Sequence, residues 1–204
     1  MMVCIVDYGV GNLFSLKCSF ESLGEETVVS SDANVISSAK RVVLPGVGAF
    51  GDAAAKLRES GLDKTVCEYA SSGKPLLGIC LGMQLLFEKS YEYGEHRGLG
   101  LSPGSVVAFK GRIKENLKIP QMGWNKLNIN GEKSPIFKYI NNGDFVYFVH
   151  SYFAETESKY VAAYTDYGLQ ITAAAHNGNV YGCQFHPEKS GKTGLSILKA
   201  FCEI

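Results

Sequence analysis

The sequence has no surplus of either charge. Twenty Lys and Arg balance twenty Asp and Glu, for a formal net charge of zero, which removes the basic footprint of a nucleic-acid binder. Long apolar runs are missing too. Charges, glycines or prolines interrupt every stretch before the ~20 residues that a bilayer-crossing helix needs, so no membrane span is expected. The start carries no basic leader or cleavage site, and Val3-Cys4-Ile5-Val6 reads as a first strand, so the expected location is cytoplasmic. The six cysteines (Cys4, Cys18, Cys67, Cys80, Cys183 and Cys202) include no CxxC pair and no His/Cys cluster at zinc spacing. Neither a metal site nor a disulfide framework is suggested, and most of these thiols are expected in the core.

What is present is an ordinary globular balance: 46% hydrophobic and 20% charged residues over 204 positions, enough for one sizeable core. No repeat, low-complexity tract or Pro/Gly/Ser linker cuts the chain, so residues 1–204 are expected to form one domain. The first half alternates short apolar strands with amphipathic helices: Val3–Val6, Leu13–Leu23, Arg41–Leu44, Ala53–Ser60, Leu62–Ser71 and Leu76–Cys80. That rhythm implies parallel strands joined by right-handed crossovers. The second half reads as hairpins and mixed strands at 106–109, 125–129, 145–150, 160–165, 171–176 and 180–185, closed by a helix over Thr193–Phe201. The expected fold is α/β and flavodoxin-like: a mostly parallel central sheet with helices on both faces and an antiparallel extension. Ligands are expected at the carboxyl ends of its parallel strands.

One cysteine stands out by its neighbours. In Leu76-Leu77-Gly78-Ile79-Cys80-Leu81-Gly82-Met83-Gln84 a buried strand runs into an apolar helix with Cys80 between two glycines. This is the cysteine counterpart of the G-x-S-x-G elbow, where a tight turn excludes side chains on either side of the nucleophile. At the head of the following helix, unpaired N–H groups favour the thiolate. A second strand ends in Phe185-His186-Pro187-Glu188. Pro187 stiffens that turn, and the Glu188 carboxylate can accept from the His186 imidazole, giving a base with its orienter.

Gly78 to Gln84 and His186-Pro187-Glu188 resemble the two signatures of the triad, or class I, glutamine amidotransferases. Further motifs, Val6-Asp7-Tyr8-Gly9-Val10-Gly11-Asn12, Leu44 to Phe50, Met122-Gly123-Trp124-Asn125, Val149 to Phe153 and His186 to Ser190, look like those of the glutaminase subunits of imidazole glycerol phosphate synthases. The resemblance spans essentially the whole chain. It implies a Cys80–His186–Glu188 triad that releases ammonia from glutamine, without cofactor, for a (β/α)8-barrel cyclase partner. Glutaminases that feed surface-sugar amidotransferases share the same chemistry and stand as the alternative client.

Two backbone N–H donors are expected for the oxyanion formed on attack. One is Leu81 N–H. The other comes from Pro45-Gly46-Val47-Gly48, where glycines around Val47 let its peptide plane rotate. The resemblance assigns glutamine contacts to Gly46, Gly48, Gln84, Ser151 and Tyr152, and places Trp124 and Lys189 on the cyclase-facing surface. Read alone, Trp124 can equally be a core filler. Gly46 to Gly51 is formally G-x-G-x-x-G, yet a dinucleotide fingerprint belongs in the first βα turn and needs a ribose-binding acid at a later strand end. Gly191-Lys192-Thr193 fails as a P-loop because His186 stands where its first glycine is required. His150 and His176 read as structural or surface residues, although His150 lies at a strand end near the pocket.

Overall fold

The computed structural model describes residues 2–113, 117–131 and 134–204. The first half runs β1 (Val3–Val6), α1 (Leu13–Ser22), β2 (Thr27–Ser30), α2 (Ala33–Ser38), β3 (Arg41–Leu44), α3 (Phe50–Glu59), α4 (Leu62–Ser71), β4 (Leu76–Ile79) and α5 (Leu81–Leu85). There follow β5 (Phe87–Ser90), β6 (His96–Arg97), β7 (Ser102–Ala108), β8 (Gln121–Lys126), β9 (Asn128–Ile129), β10 (Phe145–His150) and β11 (Tyr152–Glu155). The chain ends with β12 (Val161–Asp166), β13 (Gln170–Asn177), β14 (Val180–Cys183) and α6 (Gly191–Cys202).

The main sheet has eight strands in the order β2-β1-β3-β4-β14-β13-β12-β9. The pairings from β2 through β14 are parallel and those from β14 to β9 antiparallel. A parallel 2-1-3-4-5 order is that of flavodoxin-like sheets. Period-two alternation sends neighbouring side chains of each strand into different cores. Val3 and Ile5 pack with Leu16 and Phe20 of α1 and Ile197 and Phe201 of α6. Cys4 and Val6 pack on the other face with Ile36 of α2, Leu57 of α3 and Val66 of α4. Helices therefore cover both faces, and the loops after β1, β3, β4 and β14 gather at one edge. β8 and β10 form a separate two-stranded ribbon, and β11-β7-β5-β6 a four-stranded sheet.

Several boundaries differ from the sequence reading. The stretch 125–129 is not one strand: β8 pairs with β10 and β9 with β12, while Leu127 between them is buried. Strands β2, β5, β6 and β11 and helix α2 were not expected. β2 is partly exposed throughout, so it lacks the apolar alternation that marks a strand and owes its conformation to pairing with β1. Cys18 is exposed rather than packed in the core, since it lies on the outward side of α1.

Candidate active site

The chain leaves β4 at Ile79 and enters α5 at Leu81, so Cys80 alone makes the turn, at φ 54 and ψ −112. A non-glycine residue in this region is strained by about 1–3 kcal/mol and persists only where its surroundings impose the conformation. They do so here. A Cβ on Gly78 would lie 2.8 Å from the Gly82 carbonyl oxygen, and one on Gly82 would lie 1.9 Å from the Leu44 carbonyl oxygen. The flanking glycines thus let α5 press against β4 and β3. Cys80 N–H donates to the Cys183 carbonyl at 2.7 Å, which ties the turn to β14.

β14 lies beside β4 with Gly182 opposite Gly78 and Cys183 opposite Ile79, so the residues after Cys183 emerge next to Cys80. His186 N–H donates to the Tyr147 carbonyl at 2.9 Å. The Ser190 hydroxyl donates to the His186 carbonyl at 2.6 Å and accepts from Tyr147 N–H at 2.9 Å. These bonds clamp the His186–Ser190 turn to β10. His186 Nδ1 stands 2.8 Å from Glu188 Oε1, and both side chains are buried. Burial pulls the His186 pKa down, but hydrogen bonds and charge from Cys80 and Glu188 outweigh it and push the value up to about 9. An imidazolium held between a sulfur and a carboxylate is what a thiolate nucleophile requires.

The cleft around this group has a volume of about 310 Å³, at the small end of ligand pockets. Its lining brings together Cys80, Leu81, Gln84 and His186 with Val47, Gly48, Ser151 and Tyr152. Gly46 is the exception among the expected substrate contacts. It does not line the cleft but is wedged behind it, where a Cβ would lie 2.8 Å from Gly82 N and 2.9 Å from the Tyr8 hydroxyl. That packing requires a residue without a side chain at this position. Tyr8 donates to the Pro45 carbonyl at 2.8 Å and so fixes the base of the same segment, whereas Val47 projects outward and Gly48 takes φ +91.

Four further residues belong to the site without having been singled out for it. Glu92 lines the cleft and its Oε2 accepts from Phe50 N–H at 2.6 Å; burial raises its pKa. His150 is buried against Phe109 and Phe148 and lines the cleft, so it is not a surface residue. Its Nδ1 bonds the Tyr152 carbonyl at 2.8 Å, and burial lowers its pKa to about 4. Gln184 is fully buried with Nε2 at 3.9 Å from Cys80 Sγ. Val149 places its carbonyl 4.0 Å from the same sulfur. Alternation offered a signal for Gln184: Cys183 and Phe185 enter the core, so Gln184 and His186 face the other way together. His176, by contrast, stacks on Tyr181 at 4.6 Å, away from the cleft.

The two residues expected on the partner-facing surface are both exposed. Trp124 is 53% exposed and so does not fill the core; it meets Tyr147 edge-on at 6.0 Å. Lys189 is exposed in the turn after His186. On β8 the residues pointing outward are Met122, Trp124 and Lys126.

Residues 4–204 match the family model described as glutamine amidotransferase class-I. The chain is 50% identical over 202 residues to the imidazole glycerol phosphate synthase subunit HisH of Lactococcus lactis subsp. lactis strain IL1403, covering 98% of each chain. It is 49% identical over 205 residues to the subunit of that name from Wolinella succinogenes, covering 100% of each. Among solved structures, that of PurLQS from Thermotoga maritima superposes with a TM-score of 0.76 over 99% of this chain and 97% of that one, at 21% identity, a likeness of fold alone. A cysteine elbow and a histidine–glutamate turn meeting across neighbouring parallel strands, in a sequence matched end to end, place the chain in the class-I glutamine amidotransferase family, among its imidazole glycerol phosphate synthase HisH subunits.

Proposed function

We propose that the chain is the glutaminase subunit of an imidazole glycerol phosphate synthase, hydrolysing L-glutamine to glutamate and ammonia for a (β/α)8-barrel cyclase partner in histidine biosynthesis. The observation that carries the chemistry is His186 held at 2.8 Å by Glu188 and lining the same cleft as Cys80. The thiolate of Cys80 attacks the carboxamide carbon, and His186 gives its proton to the departing nitrogen, which leaves as ammonia. His186 then takes a proton from water, which cleaves the γ-glutamyl thioester and restores the thiol. Glu188 holds the imidazole ring through both steps. The oxyanion is assigned to Leu81 N–H and the peptide at Val47–Gly48, each such donor lowering the barrier by about 3–4 kcal/mol. Exposed Val47 beside a glycine at φ +91 suits a peptide that turns its N–H inward on activation.

Substrate contacts follow from the unused polar groups. Both N–H bonds of Gln84 are committed, to the Tyr152 carbonyl at 2.9 Å and to Gln184 at 3.0 Å, leaving its carbonyl oxygen for glutamine. Glu92 is the cleft-lining carboxylate suited to the α-ammonium group, with Gly48, Ser151 and Tyr152 offering backbone around the ligand. The partner surface is assigned to Trp124 and Lys189, with Met122 and Phe145 adding exposed apolar area at 64% and 47%. The triad would be the same for either client, so the histidine assignment rests on the HisH identities. The one-domain reading is supported by a family match over residues 4–204 and by a main sheet that joins β1 to β14. Among the described residues no helix is long and apolar enough to cross a membrane.

The test is reconstitution with a cyclase subunit. The wild-type complex is expected to make imidazole glycerol phosphate from either glutamine or added ammonia, and the Cys80→Ala complex from ammonia only. Failure of the correctly folded wild-type complex to use glutamine would refute the assignment.

A further inference from the structure

We infer that Gln184 is a positioning residue for the nucleophile: its buried carboxamide is braced by Gln84 on one side and presents an N–H to the sulfur of Cys80 on the other. The inference deepens the glutaminase reading and rests on Cys80 being its nucleophile.

The orientation of the Gln184 amide is fixed by a chain of donors and acceptors. The Tyr152 carbonyl can only accept, and it takes Gln84 Nε2–H at 2.9 Å. That identifies the Gln84 nitrogen, whose second N–H meets Gln184 at 3.0 Å. The Gln184 atom facing it is therefore the oxygen, which leaves Nε2 on the sulfur side at 3.9 Å from Cys80 Sγ. Nothing else in the network reverses this order: His150 Nδ1 at 2.8 Å from the same Tyr152 carbonyl adds a second donor to it. Gln184 is fully buried, and a buried amide is stable only where its donors and acceptors are matched. Its backbone N–H donates to the Ala173 carbonyl at 2.9 Å, so the side chain starts from a backbone tied to β13.

The sulfur is thus approached by a donor, Gln184 Nε2, from the same strand end that carries His186. A hydrogen bond to an ionised acceptor is shorter and about twice as strong as one to a neutral acceptor. The 3.9 Å contact is accordingly stronger when the sulfur is ionised, and it fixes the sulfur's place beside Gln184. Once the thioester forms, the charge is gone and the contact weakens, so Gln184 acts on the attacking state of Cys80. It also couples that state to Gln84, which lines the substrate cleft.

The experiment measures the rate of Cys80 alkylation by iodoacetamide against pH in the full chain, for wild type, Gln184→Met and Gln184→Asn. Met keeps the length and removes the donor; Asn keeps an amide but withdraws it by one methylene. In each folded variant the half-maximal pH is expected to move upward by about one unit, with alkylation slowed about tenfold at pH values below the wild-type half-maximal pH, as for loss of a hydrogen bond to a charged group. The rate at the high-pH plateau should be restored. If Met does not fold, Asn carries the same readout. An unchanged half-maximal pH in a folded variant, whatever happens to its thermal stability, would overturn the inference and leave Gln184 as packing. Alkylation needs no glutamine turnover, so failure of the glutaminase assignment would show in reconstitution and leave this measurement intact.

Discussion

Gly82 approaches Leu44 so closely that a Cβ on the glycine would stand 1.9 Å from the leucine carbonyl oxygen. This contact seats the helix carrying the nucleophile against β3, whose next residues are the Pro45–Gly48 segment. Because the obstacle is backbone within a buried sheet, it cannot swing aside. Gly82→Ala is expected to destabilise the protein by about 2 kcal/mol or more and to slow Cys80 alkylation. Urea unfolding measures the first; a midpoint equal to wild type would mean that α5 shifts freely over β3.

Cys80 itself stores strain at φ 54 and ψ −112, a region open to glycine and costly for other residues. Cys80→Gly is therefore expected to be more stable than Cys80→Ala by about 1 kcal/mol, after the greater unfolded-state freedom of glycine is subtracted. Both variants should lack glutaminase activity. Equal denaturation midpoints for the two would indicate that the turn is unstrained.

For Glu188→Gln, shape is kept while the charge beside His186 is lost, so glutamine turnover is expected to fall by about 10² or more. The histidine pKa is raised from 6.5 to about 9. Its contribution to stability is therefore fully present below pH 6.5 and is lost as pH rises through about 9. In the Gln variant that loss should begin at lower pH. Thermal melts between pH 6 and 10 read the displacement, and superimposable alkaline limbs would contradict it.

His150 has the opposite sign. Its pKa is lowered to about 4 by burial, so the folded state resists protonation while the unfolded chain accepts it at about 6.5. Stability should decline as pH falls from about 6.5 to 4, by about 3 kcal/mol in total. His150→Gln removes this titration and should flatten the acid limb. Parallel acid limbs in the two proteins would rule out a buried neutral imidazole.

On the ribbon, Trp124→Ala is expected to weaken the complex with the cyclase by about 2 kcal/mol or more, as for an aromatic anchor at an interface centre. Lys189→Ala should weaken it less and chiefly at low salt, because a solvated charge is screened. Calorimetric titration gives both values. Unchanged affinity in both variants would move the docking surface elsewhere.

The sequence by itself determined the parallel core of this protein and singled out Cys80, His186 and Glu188 as the proposed triad. Val3–Val6, Arg41–Leu44 and Leu76–Ile79 are short, wholly buried strands, so their apolar runs signal them directly. Gly78, Gly82, Pro187 and Glu188 flank the reactive residues in a pattern that only a tight elbow and an oriented base require. Tertiary structure alone decided what depended on neighbours distant along the chain. β2 is too polar to announce itself, and only pairing with β1 makes it a strand. That Gly46 has no room for a side chain is visible only in the fold, where Gly82, Leu81 and Tyr8 occupy the space around it. The choice between core and surface for Trp124 was settled by the pairing of β8 with β10, which turns Met122, Trp124 and Lys126 outward. Gln184 joined the site because α5 brings Gln84, itself held by the Tyr152 carbonyl of β11, to its amide. A side chain's chemistry is written in the sequence, but its partners are fixed only when the sheet closes, since hydrogen bonds and close packing act over a few ångströms whatever the separation along the chain.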